Sequence, residues 1–221
     1  MIDNVFPDIL NNYYSEDWLC ERAILSPTTD AVQQINYSIL DILPGETETF
    51  KSIDTTVNDE DSTSYPIEFL KSLEIPGTPS HLLKLKKGVP VILMRNLDAP
   101  KLCNGTRLRV TNFTKNIVTA IILTGCSKGK EDMIPRIPII PTDTPFQFKR
   151  LQFPLKLAFA ISINKSQGQI LKVAGLNLLT SCFSHGQLYV ACSRVSTPHD
   201  MFILAPNGTT KNVVYKQVFQ L

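Results

Sequence analysis

The sequence predicts an α/β fold whose two halves flank a small inserted antiparallel β-barrel. Three observations carry this. A strand, a loop and an amphipathic helix follow one another over residues 21–43. Short β-rich runs separated by glycine turns fill residues 84–140, and the α/β pattern returns after Phe153-Pro154.

In the first part, Ala23-Ile24-Leu25 reads as a short apolar strand. Ser26-Pro27-Thr28-Thr29-Asp30 then leads into Val32, Ile35, Ile39 and Leu40 at helical spacing. Thr29 or Asp30 is placed to cap that helix, and a loop meeting a helix N-terminus offers free N–H groups to a phosphate. Most α/β proteins share this arrangement, so alone it has no functional weight. Residues 44–64 are polar and acidic, a surface connection with one strand expected at 49–53. Residues 66–73 read as a short amphipathic helix, ended by Ile75-Pro76-Gly77 because neither Pro nor Gly continues it.

Strands are expected at 89–94, 107–111, 117–123 and 134–140, with turns at Asn104-Gly105, Thr124-Gly125 and Ser127-Lys128-Gly129. Short strands at this spacing suggest a small twisted barrel, and no long helix fits among them. Beyond them, residues 157–161 form a buried strand followed by a loop at 164–168, and a further strand lies near 171–176. Residues 188–192 open a helix that stops before Pro198, and 201–205 make a last strand.

Composition bounds the function classes. A chain of 221 residues with 43% hydrophobic and 19% charged residues matches a globular protein of one domain, or of one domain with an insertion. No uninterrupted apolar run reaches the roughly 18–20 residues that span a bilayer. Met1-Ile2-Asp3-Asn4 lacks the basic segment and apolar stretch of a secretory signal, so the chain is expected not to be secreted. The five cysteines, Cys20, Cys103, Cys126, Cys182 and Cys192, have no metal-like spacing and are expected as buried, reduced thiols.

The net charge of +2 conceals an asymmetry. Residues 1–80 hold three Lys/Arg and fifteen Asp/Glu, whereas residues 81–172 hold sixteen Lys/Arg against Asp98, Glu131, Asp132 and Asp143. The middle of the chain is thus a candidate polyanion-facing surface, although most charge runs are solvated faces.

Few residues suit local catalysis. Gly125-Cys126-Ser127-Lys128-Gly129-Lys130-Glu131 approaches a phosphate-binding Walker A loop, but it is one residue short, ends in Glu and precedes Pro135. It reads as a hairpin turn. Asp59-Glu60 do not close a buried apolar strand as a Walker B acid does, and His81, His185 and His199 stand apart from one another. No metal site is expected. Two segments resist a purely structural reading. The loop from Ser162 through Asn164-Lys165-Ser166-Gln167-Gly168-Gln169 delivers hydroxyl, amide and ammonium groups together, which suits a phosphate-contacting edge. Leu188-Tyr189-Val190-Ala191-Cys192-Ser193-Arg194-Val195 carries one Arg on an apolar element, a pattern that a buried salt bridge also explains.

These segments, with Phe148-x-Arg150-x-Gln152-Phe153-Pro154-Leu155, resemble motifs V and VI and flanks of the Pif-type DNA helicases of superfamily one, most closely the Helitron form. Leu25-Ser26-Pro27-Thr28 with Val32 and Ile35-Asn36, Leu43-Pro44-Gly45-Glu46, Tyr65-Pro66-x-Glu68-Phe69-Leu70 and the stretch from Gly88 to Arg107 are similar to the same family. The resemblance implies a second RecA-like motor domain made of residues 1–64 and 149–221, interrupted at 65–148 by a small barrel with its leading helix.

By the same resemblance, Arg194 is the arginine finger on the γ-phosphate, Gln167 and Gly168 line the ATP cleft, and Thr28, Ser162, Asn164 and Lys165 contact DNA. The family often has His where Asn164 stands and Leu where Cys192 stands. The implied cofactors are ATP and Mg²⁺, held mainly by an N-terminal RecA-like domain that carries Walker A and Walker B and is expected to lie outside this chain. The implied partners are that domain and single-stranded DNA. The expected activity is 5′-to-3′ ATP-dependent unwinding in repair, recombination, replication or telomere maintenance, with the nucleus as its place and the mitochondrion as the alternative. A competing reading is a non-enzymatic, DNA-binding or helicase-associated remnant of a Helitron-type transposon.

Overall fold

The computed structural model describes residues 1–57, 65–141, 144 and 146–219. In chain order these form helices α1 (Ile2–Val5), α2 (Ile9–Asn12) and α3 (Glu16–Cys20), strand β1 (Arg22–Ser26) and helix α4 (Thr29–Ile42). Strands β2 (Glu48–Lys51) and β3 (Ile53–Thr56), helix α5 (Ile67–Ser72), and strands β4 (Leu82–Leu85) and β5 (Pro90–Leu93) follow. Next come β6 (Arg107–Phe113), β7 (Ile117–Ile122), β8 (Glu131–Pro135), β9 (Ile137–Ile139), β10 (Phe148–Gln152) and β11 (Leu155–Leu157). Strands β12 (Ala160–Ser162) and β13 (Val173–Asn177), helix α6 (Gln187–Cys192) and strand β14 (Met201–Leu204) complete the order. The chain divides into two compact units, residues 1–44 with 157–221 and residues 45–156.

The first unit is built on a four-stranded parallel sheet in the order β12-β1-β13-β14. Parallel strands are covered on both faces and therefore read as continuous apolar runs. Ala23, Ile24 and Leu25 of β1 are accordingly inaccessible to solvent. Helix α1 packs on β13 where Gly175 removes the obstacle, since a Cβ there would lie 2.7 Å from Val5 Cγ2. Phe6 meets Phe159 edge-on at 5.8 Å and Trp18 at 5.7 Å.

Helix α4 buries Ile39, Leu40 and Asn36. Its N-cap is Thr28, in extended conformation and without a side-chain capping bond, so Thr29 and Asp30 lie inside the first turn rather than capping it. The single strand expected at 157–161 is divided between β11 and β12. Its divide is held by the Asn36 carboxamide, whose Nδ2 donates to Leu157 O (3.2 Å) and Ala160 O (2.9 Å) while Oδ1 accepts from Ala160 N (2.9 Å).

The second unit holds three sheets in the orders β11-β5-β6-β7-β8, β3-β10-β9 and β2-β4. None is closed, so the expected barrel is a set of open sheets. The strand expected at 134–140 breaks at Arg136: β8 pairs with β7, whereas β9 pairs with β10 in another sheet. Arg136 is held there by donating to Lys115 O and Lys51 O and by stacking 4.8 Å over Phe153. The strand expected at 49–53 likewise divides at Ser52, whose N–H bonds to His81 O instead of continuing a ladder. The units divide at 44/45 and 156/157 rather than at 64/65 and 148/149, because β2 and β3 pair with β4 and β10.

Arg150 on β10 is wholly buried and pairs with Asp54 of β3, the residue opposite it in the ladder. Its Nη1 donates to Leu73 O and Pro79 O, and its Nη2 to Leu70 O and Asp54, tying α5 and the following turn to the sheet. Beside it, Gln152 Nε2 donates to Phe50 O and His81 O.

All five cysteines are free, but only Cys182 is buried. Cys126 lies in the turn between β7 and β8 and Cys192 ends α6, and both are exposed, contrary to expectation. Among the described residues no helix is long and apolar enough to cross a membrane.

Candidate nucleotide and nucleic-acid interface

Strands β1 and β12 run parallel with Ser26 opposite Ser162. The loops that follow them therefore leave the sheet side by side at its carboxyl edge, where open α/β sheets bind ligands. The first loop carries Thr28, half-buried, whose carbonyl accepts from Val32 N at 3.3 Å as α4 begins. The second is a 3₁₀ turn over Ile163–Ser166.

With three residues per turn, Ile163 and Ser166 fall on one side and are buried. Asn164, Lys165, Gln167 and Gly168 are exposed and Ser162 is half-buried. Ser166 Oγ donates to Ile163 O at 2.7 Å, Gln169 N to Ser166 O at 2.9 Å, and Gln169 Nε2 to Lys165 O at 3.0 Å. Gly168 supplies the turn with φ +80°, a conformation L side chains rarely adopt.

Helix α6 starts at Gly186, also left-handed, and buries Gln187 and Ala191. Gln187 Oε1 accepts from Phe183 N at 3.1 Å, fixing the incoming chain. Just past the helix, Arg194 reaches back to the loop. Its Nη1 donates to Ser166 O (3.2 Å) and Gln169 O (3.1 Å), its Nε to Val190 O (2.8 Å) and its Nη2 to Ser193 Oγ (2.7 Å). Its own carbonyl accepts from Leu171 N at 2.9 Å.

The structure thus brings Arg194 onto the two carbonyls that flank Gln167 and Gly168. A carboxylate partner, the alternative reading for this Arg, is replaced by main-chain oxygens, so its positive charge is uncompensated by a salt bridge among the described residues. Thr28 is brought to the same sheet edge only through strand register, since no hydrogen bond joins it to residues 162–168 among the described residues.

Two residues of consequence carry no role in the sequence reading. Asn36 falls in the apolar stripe of α4 with Val32 and Leu40, and a polar residue within such a stripe was the available signal. Asp54 had no local signal, because its partner is 96 positions away. Among the described residues no group of three or more His, Cys, Asp or Glu side chains is placed to hold a metal ion.

A family model described as the 2B domain of DNA helicase Pif1 matches residues 68–113, inside the second unit. The ATP-dependent DNA helicase PIF1 of Xenopus laevis is 34% identical over 169 residues, covering 75% of this chain. The chain belongs to the Pif1 helicase family. It spans 24% of the Xenopus protein's length. The fold agrees with two solved structures. Pif1 helicase from Candida albicans superposes with a TM-score of 0.67 at 23% identity, covering 97% of this chain and 56% of that one. Pif1 from Bacteroides, in complex with ADP-AlF3 and ssDNA, superposes with a TM-score of 0.66 at 22% identity, covering 97% and 52%.

Proposed function

We propose that this chain is the C-terminal portion of an ATP-dependent DNA helicase that moves 5′ to 3′ on single strands, with residues 1–44 and 157–221 acting as its second RecA-like motor domain and residues 45–156 as the inserted 2B-type unit. The observation that carries the reading is the bonding of Arg194 across Gln167-Gly168, in a loop that also presents Ser162, Asn164 and Lys165 beside Thr28. One loop then faces both ligands: DNA phosphates on its exposed 164–165 side and nucleotide at 167–168.

Arg194 fits a phosphate chemically. A guanidinium has five N–H donors, and of these one on Nη2 has no acceptor among the described residues. The remaining phosphate and Mg²⁺ ligands, the Walker A and Walker B groups, belong in this reading to an N-terminal RecA-like domain. When bound, ATP and Mg²⁺ supply the phosphoryl group and the charge that Arg194 stabilises as it develops. Roles in repair, recombination, replication or telomere maintenance, and residence in the nucleus with the mitochondrion as the alternative, follow the same family reading.

The test joins residues 1–221 to the N-terminal part of a Pif1 relative and follows DNA-stimulated ATP hydrolysis. Arg194→Ala is expected to lower kcat by about 10³-fold with single-stranded DNA affinity largely kept. Turnover retained in that variant excludes the finger role.

A further inference from the structure

We infer that Asn36 is a positioning residue that holds the two DNA-contacting loops in register, an inference that rests on the DNA-contact reading above. Its carboxamide is buried and makes three bonds, from Nδ2 to Leu157 O and Ala160 O and to Oδ1 from Ala160 N. Both main-chain groups of Ala160 are thus held by one side chain. Ala160 begins β12, and Ser162, Asn164 and Lys165 follow within five residues. Asn36 itself sits in α4, whose N-cap is Thr28.

The need for such a tie lies in the strand. β12 is three residues long and at the edge of its sheet, paired on one side only, through Ile24, Leu25 and Ser26. Three residues of one-sided ladder are a weak hold on a loop that must bear load from DNA. A leucine would fill the same volume in the apolar stripe of α4, yet it would leave the Ala160 N–H buried without a partner. A polar side chain satisfied at both ends fixes distance and direction between α4 and β12, which apolar packing does not. Asn36 touches no DNA in this arrangement and acts through β12.

The test is a double-mutant cycle on the full chain, read as fluorescence anisotropy with an oligo-dT probe. Asn36→Leu is expected to weaken binding about tenfold, and that loss should disappear in a Lys165→Ala background, where the positioned cation is already gone. Wild-type affinity in N36L, or a tenfold loss undiminished by Lys165→Ala, overturns the inference. Should N36L fail to fold, the wild-type protein decides. Reciprocity requires oligo-dT to slow exchange of the Ala160 amide, and an unchanged rate overturns the inference. If wild-type chain binds no oligo-dT, or Lys165→Ala binds as tightly as wild type, the DNA-contact reading fails instead. The positioning role is then read from amide exchange: acceleration in N36L confined to residues 160–167 keeps it, and acceleration spread evenly through the unit overturns it.

Discussion

Arg150 and Arg194 are alike in composition and opposite in use. Arg150 gives all five donors to Asp54 and three carbonyls in a site closed to solvent, so it has nothing left for a ligand. Arg150→Leu leaves Asp54 buried and unpaired and is expected to destabilise the second unit by about 3–5 kcal/mol, measured by urea unfolding. A loss below about 1 kcal/mol, the range of exposed pairs, would contradict that account. Next to this pair, Ser52 Oγ donates to Asp54 Oδ1 at 2.6 Å and lies 2.8 Å from His81 Nδ1. A hydroxyl donates once, so it accepts from the Nδ1–H of the imidazole. Burial pushes the His81 pKa down, with Asp54 opposing and Arg150, Lys71 and Lys51 reinforcing. The unfolded chain therefore binds the proton more readily, and stability falls as pH drops below about 6.5 until the lowered folded value is passed. Part of the acid sensitivity between pH 7.5 and pH 5 should vanish in His81→Gln, and an identical pH profile in that variant would discard this group as a source. At Gly175 the limit is space: Gly175→Ala forces a methyl against Val5 and is expected to cost about 1–3 kcal/mol, read as a lowered Tm.

Among elements, the 162–169 loop shows how local chemistry and tertiary contact divide the work. Gly168 has φ +80° with no atom within 4 Å of a built Cβ, so its requirement is conformational rather than steric. Gly168→Asn should be tolerated better than Gly168→Val, by about 1 kcal/mol, and equal thermal midpoints would show that the turn relaxes to negative φ. The candidate site was partly legible. The turn glycine, the Asn164-Lys165 pair and the single Arg at the end of an apolar run are all local signals. That Arg194 meets Ser166 and Gln169 was not legible, because 28 and 25 positions separate the partners. Strand breaks were illegible for the same reason. β11 and β12 look like one apolar run until Asn36 holds the divide, and β2 and β3 look like one strand until Ser52 bonds to His81. α1, α2 and α3 are four or five residues long, too short for a helical period to register.

Over the whole molecule, folding rearranges charge. The acidic block 1–80 and the basic block 81–172 do not become an acidic and a basic domain. Residues 45–156 hold sixteen Lys/Arg and twelve Asp/Glu, and the other unit holds six and eight. Acid and base meet inside units, as Arg150 meets Asp54 and Lys172 meets Glu21. Oligo-dT binding through the 162–165 loop, with Lys165 as its cation, should accordingly show a shallow salt dependence that Lys165→Ala reduces by about 0.7 in log–log slope. A slope steeper than about −4 would instead assign the contact to the basic surface of residues 45–156. The chain's own order already specifies an α/β pattern interrupted by short strands, the turn glycines, and a loop rich in phosphate-seeking groups, because periodicity and turn chemistry act over a few residues. Which strands pair, where the sheets stay open, which arginine is buried and which reaches the loop are decided only in three dimensions. Those outcomes depend on partners far apart in sequence, 151 positions in the case of Ser26 and Asn177, and on the removal of each polar group from water.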